Sequence, residues 1–165
     1  MSTDESAAGP TTSDRTAPVE LPRELVDPAK GVIGYVPGAW DMFHIGHLNI
    51  LRRARPHCDH LIVGVVSDEG LLRTKGKLPI VNLAERIEIV QSIGIVDQVV
   101  IDEGSKLDVW QRHPFDVLFK GDDWLGTPKG DKLEADMATV GVRVHYFPYT
   151  AHTSSTALRA IIADR

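Results

Sequence analysis

The sequence predicts a single-domain α/β protein, built as a doubly wound, Rossmann-like sheet of five parallel strands. From residue 31 onward, short apolar runs alternate with longer segments whose apolar residues recur at helical spacing, a pattern typical of parallel strands joined by crossover helices. The short runs are apolar along most of their length, as strands covered on both faces must be. A chain of 165 residues with 42% hydrophobic residues suits one core.

Strands and helices are predicted to alternate along the chain. The strands fall at residues 31–36, 60–66, 97–101, 115–120 and 142–147. The helices fall at residues 45–55, 83–93, 106–112, about 129–140 and 155–163. Asn82, followed three residues later by Glu85, indicates a capping box for the second helix, and Gly94 stands where its C-cap belongs. Ser105 is a candidate N-cap for the third helix.

Charge and composition exclude several classes of protein. With 18 basic and 23 acidic residues, the net charge of −5 gives no general electrostatic attraction for nucleic acid or anionic lipid. Cys58 is the only cysteine, so no intrachain disulfide is expected, and no apolar stretch predicts membrane insertion. The N-terminus lacks the pattern of a secretory signal, and we therefore expect a cytoplasmic protein. Residues 1–30 are predicted to be a disordered tail before a domain at 31–165.

Candidate binding residues follow the predicted strands. In open parallel sheets the ligand crevice lies beyond the carboxyl ends of the strands. The loops of interest are therefore those after Val36, Val66, Lys120 and Phe147. Each of these loops carries glycine, charged or hydroxyl residues suited to a ligand.

The stretch GAWDMFHIGH, residues 38–47, leads from the first strand into the first helix. Gly38 lets the backbone turn close to a ligand, and the free amides at a helix start attract anions. His44 and His47 project to the same side, where their ring N–H groups can donate to phosphate oxygens, while Gly46 adds no bulk between them. Two other interpretations stay open: incidental polar residues at a helix end, or a zinc site, although the chain has no His-Glu-x-x-His and a single cysteine.

These residues resemble the nucleotide-binding signature of the cytidylyltransferase family of HxGH nucleotidyltransferases, most of all that of the glycerol-3-phosphate cytidylyltransferases. The resemblance continues through VVSDE (65–69), KGKLPIVNLAER (75–86), IVDQVV (95–100), KGDDW (120–124) and a Ser/Thr-rich turn that opens the last helix. It covers nearly all of the predicted domain.

The resemblance implies an enzyme that transfers CMP from CTP to a small phosphorylated alcohol, with glycerol 3-phosphate or a related polyol phosphate as first choice. It implies that Gly38, Ala39 and Trp40 bind the nucleotide, and that His44 and His47 contact the CTP phosphates and stabilise the transition state. It also implies Mg²⁺ held largely through substrate phosphates, and a homodimer. Three alternatives stay open: an adenylyltransferase acting on another phosphorylated acceptor, a regulatory nucleotide-binding module without turnover, and a purely structural domain.

The stretch LLRTKGKLP, residues 71–79, is predicted to be a loop that carries three cations after the second strand. Such a loop can close over a polyphosphate, whereas a solvated basic loop is the alternative. The resemblance implies that Lys75 serves catalysis and the acceptor phosphate, that Arg73 also contacts the acceptor, and that Lys77 binds the nucleotide.

The segment FKGDDWLG follows the fourth predicted strand. The resemblance implies that Gly121 and Asp122 recognise the nucleoside and that Trp124 forms a wall of the acceptor site. The acidic pair could instead hold magnesium, or the segment could be a simple β-turn.

The turn before the last helix suits phosphate binding. Ser154, Ser155 and Thr156 fit both helix capping and hydroxyl donation to phosphate, and the resemblance adds Thr150 to this group. Tyr149 stands where the family usually has an arginine, which removes a bidentate phosphate partner.

Two residues outside these loops are expected to support the site. By the resemblance, Asp41 organises the nucleotide loop rather than acting as a base. Arg86 is interpreted either as a buried or site-facing arginine or as an ordinary surface partner within its helix.

Overall fold

A computed structural model describes residues 31–149 and 153–164 and confirms the predicted fold. Its strands are β1 (Ile33–Gly38), β2 (His60–Val66), β3 (Gln98–Asp102), β4 (Val117–Gly121) and β5 (Arg143–Phe147). They form one sheet in the order β3-β2-β1-β4-β5, in which every neighbouring pair is parallel. The chain therefore starts in the middle of the sheet, builds one half, and then returns to build the other.

Six helices connect or follow the strands in the described residues. They are α1 (Ile45–Ala54), α2 (Asp68–Lys75), α3 (Leu83–Gln91), α4 (Lys106–Arg112), α5 (Pro128–Ala138) and α6 (Ser155–Ala163). All five predicted helices are present, and Asn82 and Ser105 are the N-caps of α3 and α4. The Asn82 side chain accepts from the amide of Glu85, which is half of the predicted capping box, whereas Ser105 and Asp108 form a complete one at α4. Gly94 does not form the C-cap of α3, because the helix ends at Gln91 and Ser92 takes that position.

The core has one layer on each face of the sheet. Ile62 and Val63 are successive residues of β2, so their side chains point to opposite faces, and Leu118 and Phe119 of β4 do the same. Val63 and Phe119 pack in a cluster with Leu51 of α1 and Val90 of α3. Ile62 and Leu118 pack in a second cluster with Val109 of α4 and with Leu133 and Met137 of α5. Helices on both faces explain why the strand sequences are almost continuously apolar.

Helix α2 corrects the prediction of a basic loop after the second strand. Ser67 is its N-cap and accepts a hydrogen bond from the amide of Gly70, while Gly76 ends it in the left-handed conformation, with φ of 68°. Serine is a common N-cap and left-handed glycine a common helix end, so the sequence contained both signals for α2. Arg73 and Lys75 consequently lie on a helix, and only Lys77 lies in the loop beyond it.

Two predictions concern parts of the chain that the structure does not describe. The expected disordered tail at residues 1–30 and the nucleotide-binding role of Thr150 lie outside the described residues. Among the helices in the described part of the chain, none combines the length and apolarity needed to cross a bilayer.

Two histidines beside the first core cluster are held in their neutral form. The ring centroids of His57 and His145 are 5.2 Å apart, and His145 packs against Phe147 at 4.7 Å. Nδ1 of His57 and Nε2 of His145 are buried without a hydrogen-bond partner among the described residues. Burial lowers the pKa of His57, and burial together with the charges of His57 and Arg143 lowers the pKa of His145 to about 4.

We expect the free energy of unfolding to fall when the pH is lowered from 7 to 5. The unfolded chain protonates its histidines near pH 6.5, whereas folded His145 stays neutral until about pH 4, so protons favour the unfolded state between these values. Urea unfolding at both pH values measures the effect. His145→Phe should reduce the pH dependence, whereas His113→Phe, outside this cluster, is the matched control. An unchanged pH dependence in His145→Phe would contradict the assignment.

Candidate active site

A cavity of about 680 Å³ opens at the carboxyl ends of β1 and β4. These strands are neighbours, yet the chain leaves β1 toward one half of the sheet and leaves β4 toward the other. Such a divergence produces the crevice in which open parallel sheets bind ligands. The predicted site residues that line the cavity are Gly38, Ala39, Trp40, His44, His47, Lys75, Lys77, Gly121, Trp124, Ser154, Ser155 and Thr156.

Two predicted site residues are not on the cavity wall. Arg73 is exposed on α2, and its neighbour on the same helix, Lys75, faces the cavity instead. Successive positions on a helix turn by about 100°, so residues two apart face different directions. The carboxylate of Asp122 accepts a hydrogen bond from the amide of Tyr149 at 3.0 Å and supports the loop from outside the cavity.

The two histidines of the HxGH motif form the start of α1. His44 is the N-cap, and its Nδ1 accepts a hydrogen bond from the amide of Gly46 at 3.0 Å. Nδ1 of His47 accepts a hydrogen bond from the amide of His44 at 3.3 Å, which completes a capping box. Because Nδ1 is an acceptor in both rings, the proton of each neutral ring is on Nε2. The two rings are stacked, with their centroids 3.9 Å apart. They therefore carry two N–H donors on one wall of the cavity.

Burial favours the neutral form of both imidazoles. Loss of solvent lowers the pKa of His44. Deeper burial, with the charge of His44 adding to it, lowers the pKa of His47 to about 3. The ring of His47 packs against those of Trp40 and Phe43 at 5.2 and 5.4 Å. At neutral pH the pair can donate hydrogen bonds to an anion but does not bring a positive charge to it.

Trp40 supports the histidines from the protein interior. Its side chain is buried, and its indole N–H donates to the carbonyl of Gly64 on β2 at 2.8 Å. Its backbone has a φ of 58°, in the left-handed region that non-glycine residues seldom adopt. Trp40 thus supports His47 from behind and also lines the cavity, and its contact with a nucleotide stays a prediction.

Gly46 leaves no room for a side chain. A Cβ at this position would lie 2.8 Å from Cε1 of His44 and 3.3 Å from the backbone oxygen of Thr153. The second distance shows that the residues just before α6 lie directly against the start of α1. Gly46 therefore allows two helix N-termini to meet at one place.

We expect Gly46→Ala to lower kcat by about tenfold or more, since even small displacements of a catalytic group are costly. Alanine favours the helix, so the melting temperature should change little. The new methyl group would push the His44 ring out of position. Steady-state kinetics and thermal unfolding separate the two effects, with Gly94→Ala, whose Cβ would meet nothing within 4 Å, as the control. A fully active Gly46→Ala would show that the His44 position is not critical.

Asp41 holds the N-terminus of α6 in place. Its carboxylate accepts hydrogen bonds from the amides of Ile80 and Val81, both at 2.9 Å, and from Arg159 at 2.7 Å. Burial opposes its charge, but these hydrogen bonds and the Arg159 cation lower the pKa of Asp41 overall. The hydroxyl of Ser155 donates to its carbonyl at 2.6 Å. The expectation that Asp41 organises the loop agrees with these contacts.

The N-terminus of α6 lies at the cavity wall, which Ser154, Ser155 and Thr156 line. Ser154 is the N-cap, and its hydroxyl oxygen accepts a hydrogen bond from the amide of Ala157. Since the hydroxyl of Ser155 is used on Asp41, the groups at this helix start that remain for an anion are the Ser154 and Thr156 hydroxyls and the first amides. Two helix N-termini and two imidazole donors thus converge on one cavity.

Comparison with known proteins agrees with this geometry. A family model described as cytidylyltransferase-like matches residues 35–161, a span that contains both histidines and the N-terminus of α6. The chain belongs to the cytidylyltransferase-like family.

Two curated relatives share this part of the chain. Ethanolamine-phosphate cytidylyltransferase of Arabidopsis thaliana is 35% identical over 144 residues, which cover 84% of this chain and 34% of the relative. Bifunctional protein HldE of Hyphomonas neptunium is 36% identical over 131 residues, which cover 78% of this chain and 26% of the relative. The chain thus spans about a quarter to a third of the length of these relatives.

A solved structure shares the fold. The lipopolysaccharide core biosynthesis protein from Thermoplasma volcanium GSS1 superposes with a TM-score of 0.62 at 21% identity, over 72% of this chain and 98% of that chain. At this identity, the likeness concerns the fold alone.

Tyr149, at the position where the resemblance implies an arginine, lies at the cavity wall. A Cβ on Gly121 would be 3.5 Å from Cδ2 of its ring, so the tyrosine covers the glycine at the end of β4. The guanidinium of Arg159 does not replace the positive charge of an arginine at position 149, because it is bound to the carboxylate of Asp41 and to the carbonyl of Leu78. Positive charge for a ligand must therefore come from elsewhere on the wall.

The sequence-based prediction missed Lys120. This residue lies on β4 and lines the cavity, with its Nζ 4.0 Å from the ring centroid of Trp124. Burial, followed by the charges of Lys106 and Lys75, lowers its pKa to about 8. A lysine near the end of an otherwise apolar buried strand was the available signal, since such positions seldom hold an ammonium group without a use.

Proposed function

We propose that this protein is a nucleotidyltransferase that transfers the cytidylyl group of CTP to the phosphate of a small phosphorylated alcohol and releases pyrophosphate. The observation that supports this most is the convergence of the α1 and α6 N-termini, with the Nε2–H groups of His44 and His47, in one cavity. A polyphosphate is the ligand that such an arrangement suits. The first choice of acceptor is glycerol 3-phosphate or a related polyol phosphate.

The proposed step is a displacement at the α-phosphorus of CTP. An oxygen of the acceptor phosphate forms a bond to this phosphorus, and the bond from the phosphorus to the bridging oxygen breaks, so that pyrophosphate leaves. The attacking oxygen is already anionic at neutral pH, and no general base is required. Catalysis then consists of alignment and of stabilising negative charge, which neutral imidazole donors provide without an early proton transfer.

Lysines at the cavity complete the charge balance. Lys75, at the last turn of α2, and Lys77, just beyond it, both line the cavity. Although the Lys75 side chain is open to solvent, partial desolvation and the charges of Arg159 and Lys129 lower its pKa. A cation that its neighbours repel gains most from a bound phosphate. We assign Lys75 to the acceptor phosphate and Lys77 to the nucleotide.

Magnesium fits this site as part of the nucleotide. No group of three or more His, Cys, Asp or Glu side chains among the described residues could hold a metal ion. We propose that Mg²⁺ is bound largely by the triphosphate oxygens, where it neutralises charge on the leaving group. A homodimer is also proposed, and sedimentation velocity tests it.

Pyrophosphate release tests the proposed function. CTP and ATP are compared at equal concentration, each with a panel of phosphorylated polyols, amino alcohols and sugars. We expect release with CTP and at least one phosphorylated acceptor, and none without an acceptor. A strong preference for ATP would instead favour an adenylyltransferase. CTP binding without release across the whole panel would favour a regulatory module, an alternative suggested by Tyr149, which stands where the resemblance implies an arginine.

A further inference from the structure

Lys120 carries an ammonium group in a place where the protein does not neutralise it. Its Nζ lies over the ring of Trp124 at 4.0 Å, and Lys120 takes part in none of the ion pairs seen among the described residues. An ammonium group has three N–H donors, and leaving them without acceptors is costly away from bulk water. The aromatic ring offsets only part of this cost. The group therefore has donors available for an anion in the cavity that it lines.

Other cations gather around the same ring. Nζ of Lys129 lies 6.0 Å from the centroid of the Trp124 ring. After burial, the nearby charges of Lys106 and Lys75 lower the pKa of Lys120, while Asp123 and Asp102 partly oppose them. Asp102 forms an ion pair with Lys106 at 2.8 Å, so Asp123 is the carboxylate that remains for Lys120, Lys75 and Lys129 at this end of the cavity.

This cationic end and the histidine end belong to opposite faces of the sheet, and the charge of Lys75 acts on both Lys120 and His47. Trp124 packs with the core cluster on the α4 and α5 face of the sheet, whereas α1, which carries His44 and His47, packs on the opposite face. The cavity crosses from one face to the other at the end of β1 and β4. A site for two phosphate-bearing molecules needs two such anion-binding ends, and the histidine end is the one assigned to the triphosphate.

We propose that Lys120 determines acceptor specificity: it binds the acceptor phosphate and, with Lys129 near Trp124 and Lys75 on the cavity wall, excludes acceptors that carry an ammonium group. The acceptor class is then the phosphate ester of an uncharged polyol or sugar. This inference rests on the proposed function and refines it. It also sets this chain apart from its relative named for ethanolamine phosphate.

The reason is electrostatic and geometric. Aromatic rings recognise ammonium ligands through a free face, but here Lys120 occupies a face of Trp124. An incoming ammonium group would also meet like charges in a partly desolvated site, where repulsion is stronger than in water. The hydroxyl groups of a polyol phosphate need no free aromatic face and meet no charge repulsion. The carboxylate of Asp123 on the cavity wall can accept hydrogen bonds from them.

The test compares glycerol 3-phosphate with ethanolamine phosphate, each as the sole acceptor with CTP. For the wild-type protein we expect kcat/KM to be at least about tenfold higher for glycerol 3-phosphate, the size expected for one unfavourable charge contact. Lys120→Met should raise the KM for glycerol 3-phosphate about tenfold or more, because a charge-assisted hydrogen bond is lost. It should also reduce the ratio of kcat/KM for glycerol 3-phosphate to kcat/KM for ethanolamine phosphate. The KM for CTP should not change.

Two variants sharpen the result. Lys120→Arg keeps the charge and should keep the preference. Lys132→Met removes an exposed lysine of α5 that pairs with Asp136, and should change neither acceptor kinetics nor CTP kinetics. Equal loss for both acceptors in Lys120→Met, or an unchanged KM for glycerol 3-phosphate, would overturn the proposal.

Failure of this inference is distinguishable from failure of the proposed function. A wild-type protein that turns over ethanolamine phosphate as well as glycerol 3-phosphate overturns the specificity proposal and leaves nucleotidyl transfer intact. Absence of turnover with every acceptor contradicts the proposed function. In that case calorimetric titration measures the affinity for each of the two acceptors in the presence of CTP. Equal affinities for glycerol 3-phosphate and ethanolamine phosphate would overturn the specificity proposal.

Discussion

His47→Ala is expected to lower kcat by about two to three orders of magnitude, the usual loss when one donor to a transition-state oxyanion is removed. Nε2–H of His47 is a donor whose orientation is fixed before substrate arrives, because its Nδ1 is bound to the amide of His44 and its ring is packed against Trp40 and Phe43. Negative charge grows on the phosphoryl oxygens only as the reaction proceeds. The loss should therefore appear in kcat more than in the affinity for CTP, and rapid-quench kinetics with calorimetric CTP titration measure the two separately.

His44→Asn is the matched variant. Asparagine is a good N-cap and can accept the hydrogen bond from the amide of Gly46, so the start of α1 should survive. The stacked ring and its N–H donor are lost, and a similar fall in kcat is expected with little change in melting temperature. If both histidine variants turned over at near-normal rates, the pair would be a capping device only.

The double role of the histidines explains why the motif occurs at a helix start. A serine or an aspartate at position 44 would cap α1 equally well. Histidine caps with one ring nitrogen and presents the other to the cavity, so a single residue ends the loop and supplies a donor. Any change that disturbs helix initiation at Gly46 should then also disturb catalysis.

The strands and most of the helices could be predicted because their signals are local. The apolar runs of buried parallel strands, and caps such as Ser105 before α4, act within a few residues of the element that they define. Helix α2 had the same kind of signals in Ser67 and Gly76, but the three cations of residues 71–79, two of them on the helix, favoured a loop. Charge is a weak guide to conformation there, because an exposed helix carries lysine and arginine as easily as a loop does.

The site was harder to predict than the fold, because side-chain direction depends on tertiary structure. The motif placed the histidines correctly at the cavity, but Lys120 is assigned to it only once β4 is known to end there. Arg73 and Lys75 looked equivalent as loop residues, and the helix sends them in different directions. The contact of Ser155 with Asp41 joins residues 114 positions apart, which no local pattern contains.

Arg86→Met is expected to destabilise the fold by about 3–5 kcal/mol, the range for removing one member of a buried charged network. Arg86 is fully buried and ties α3 to the ends of β1 and β2. Its acceptors are the carbonyls of Val81 (2.9 Å), Ala39 (2.6 Å) and Val66 (2.8 Å), and the carboxylate of Asp68 (2.6 Å). Methionine fills similar space but satisfies none of these oxygens, so the cost is that of leaving them without donors.

Urea unfolding of Arg86→Met and of Arg52→Met, an exposed arginine of α1, gives the matched comparison, and the second variant should lie within about 0.5 kcal/mol of wild type. Arg86→Lys is expected to fall between them, because one ammonium group cannot reach acceptors that a planar guanidinium contacts on several sides. Since Ala39 lines the proposed nucleotide site just after β1 and Asp68 begins α2, the folded fraction of these variants should also bind CTP more weakly. A loss of stability with unchanged CTP affinity would mean that Arg86 supports the core alone and that the nucleotide loop keeps its shape without it.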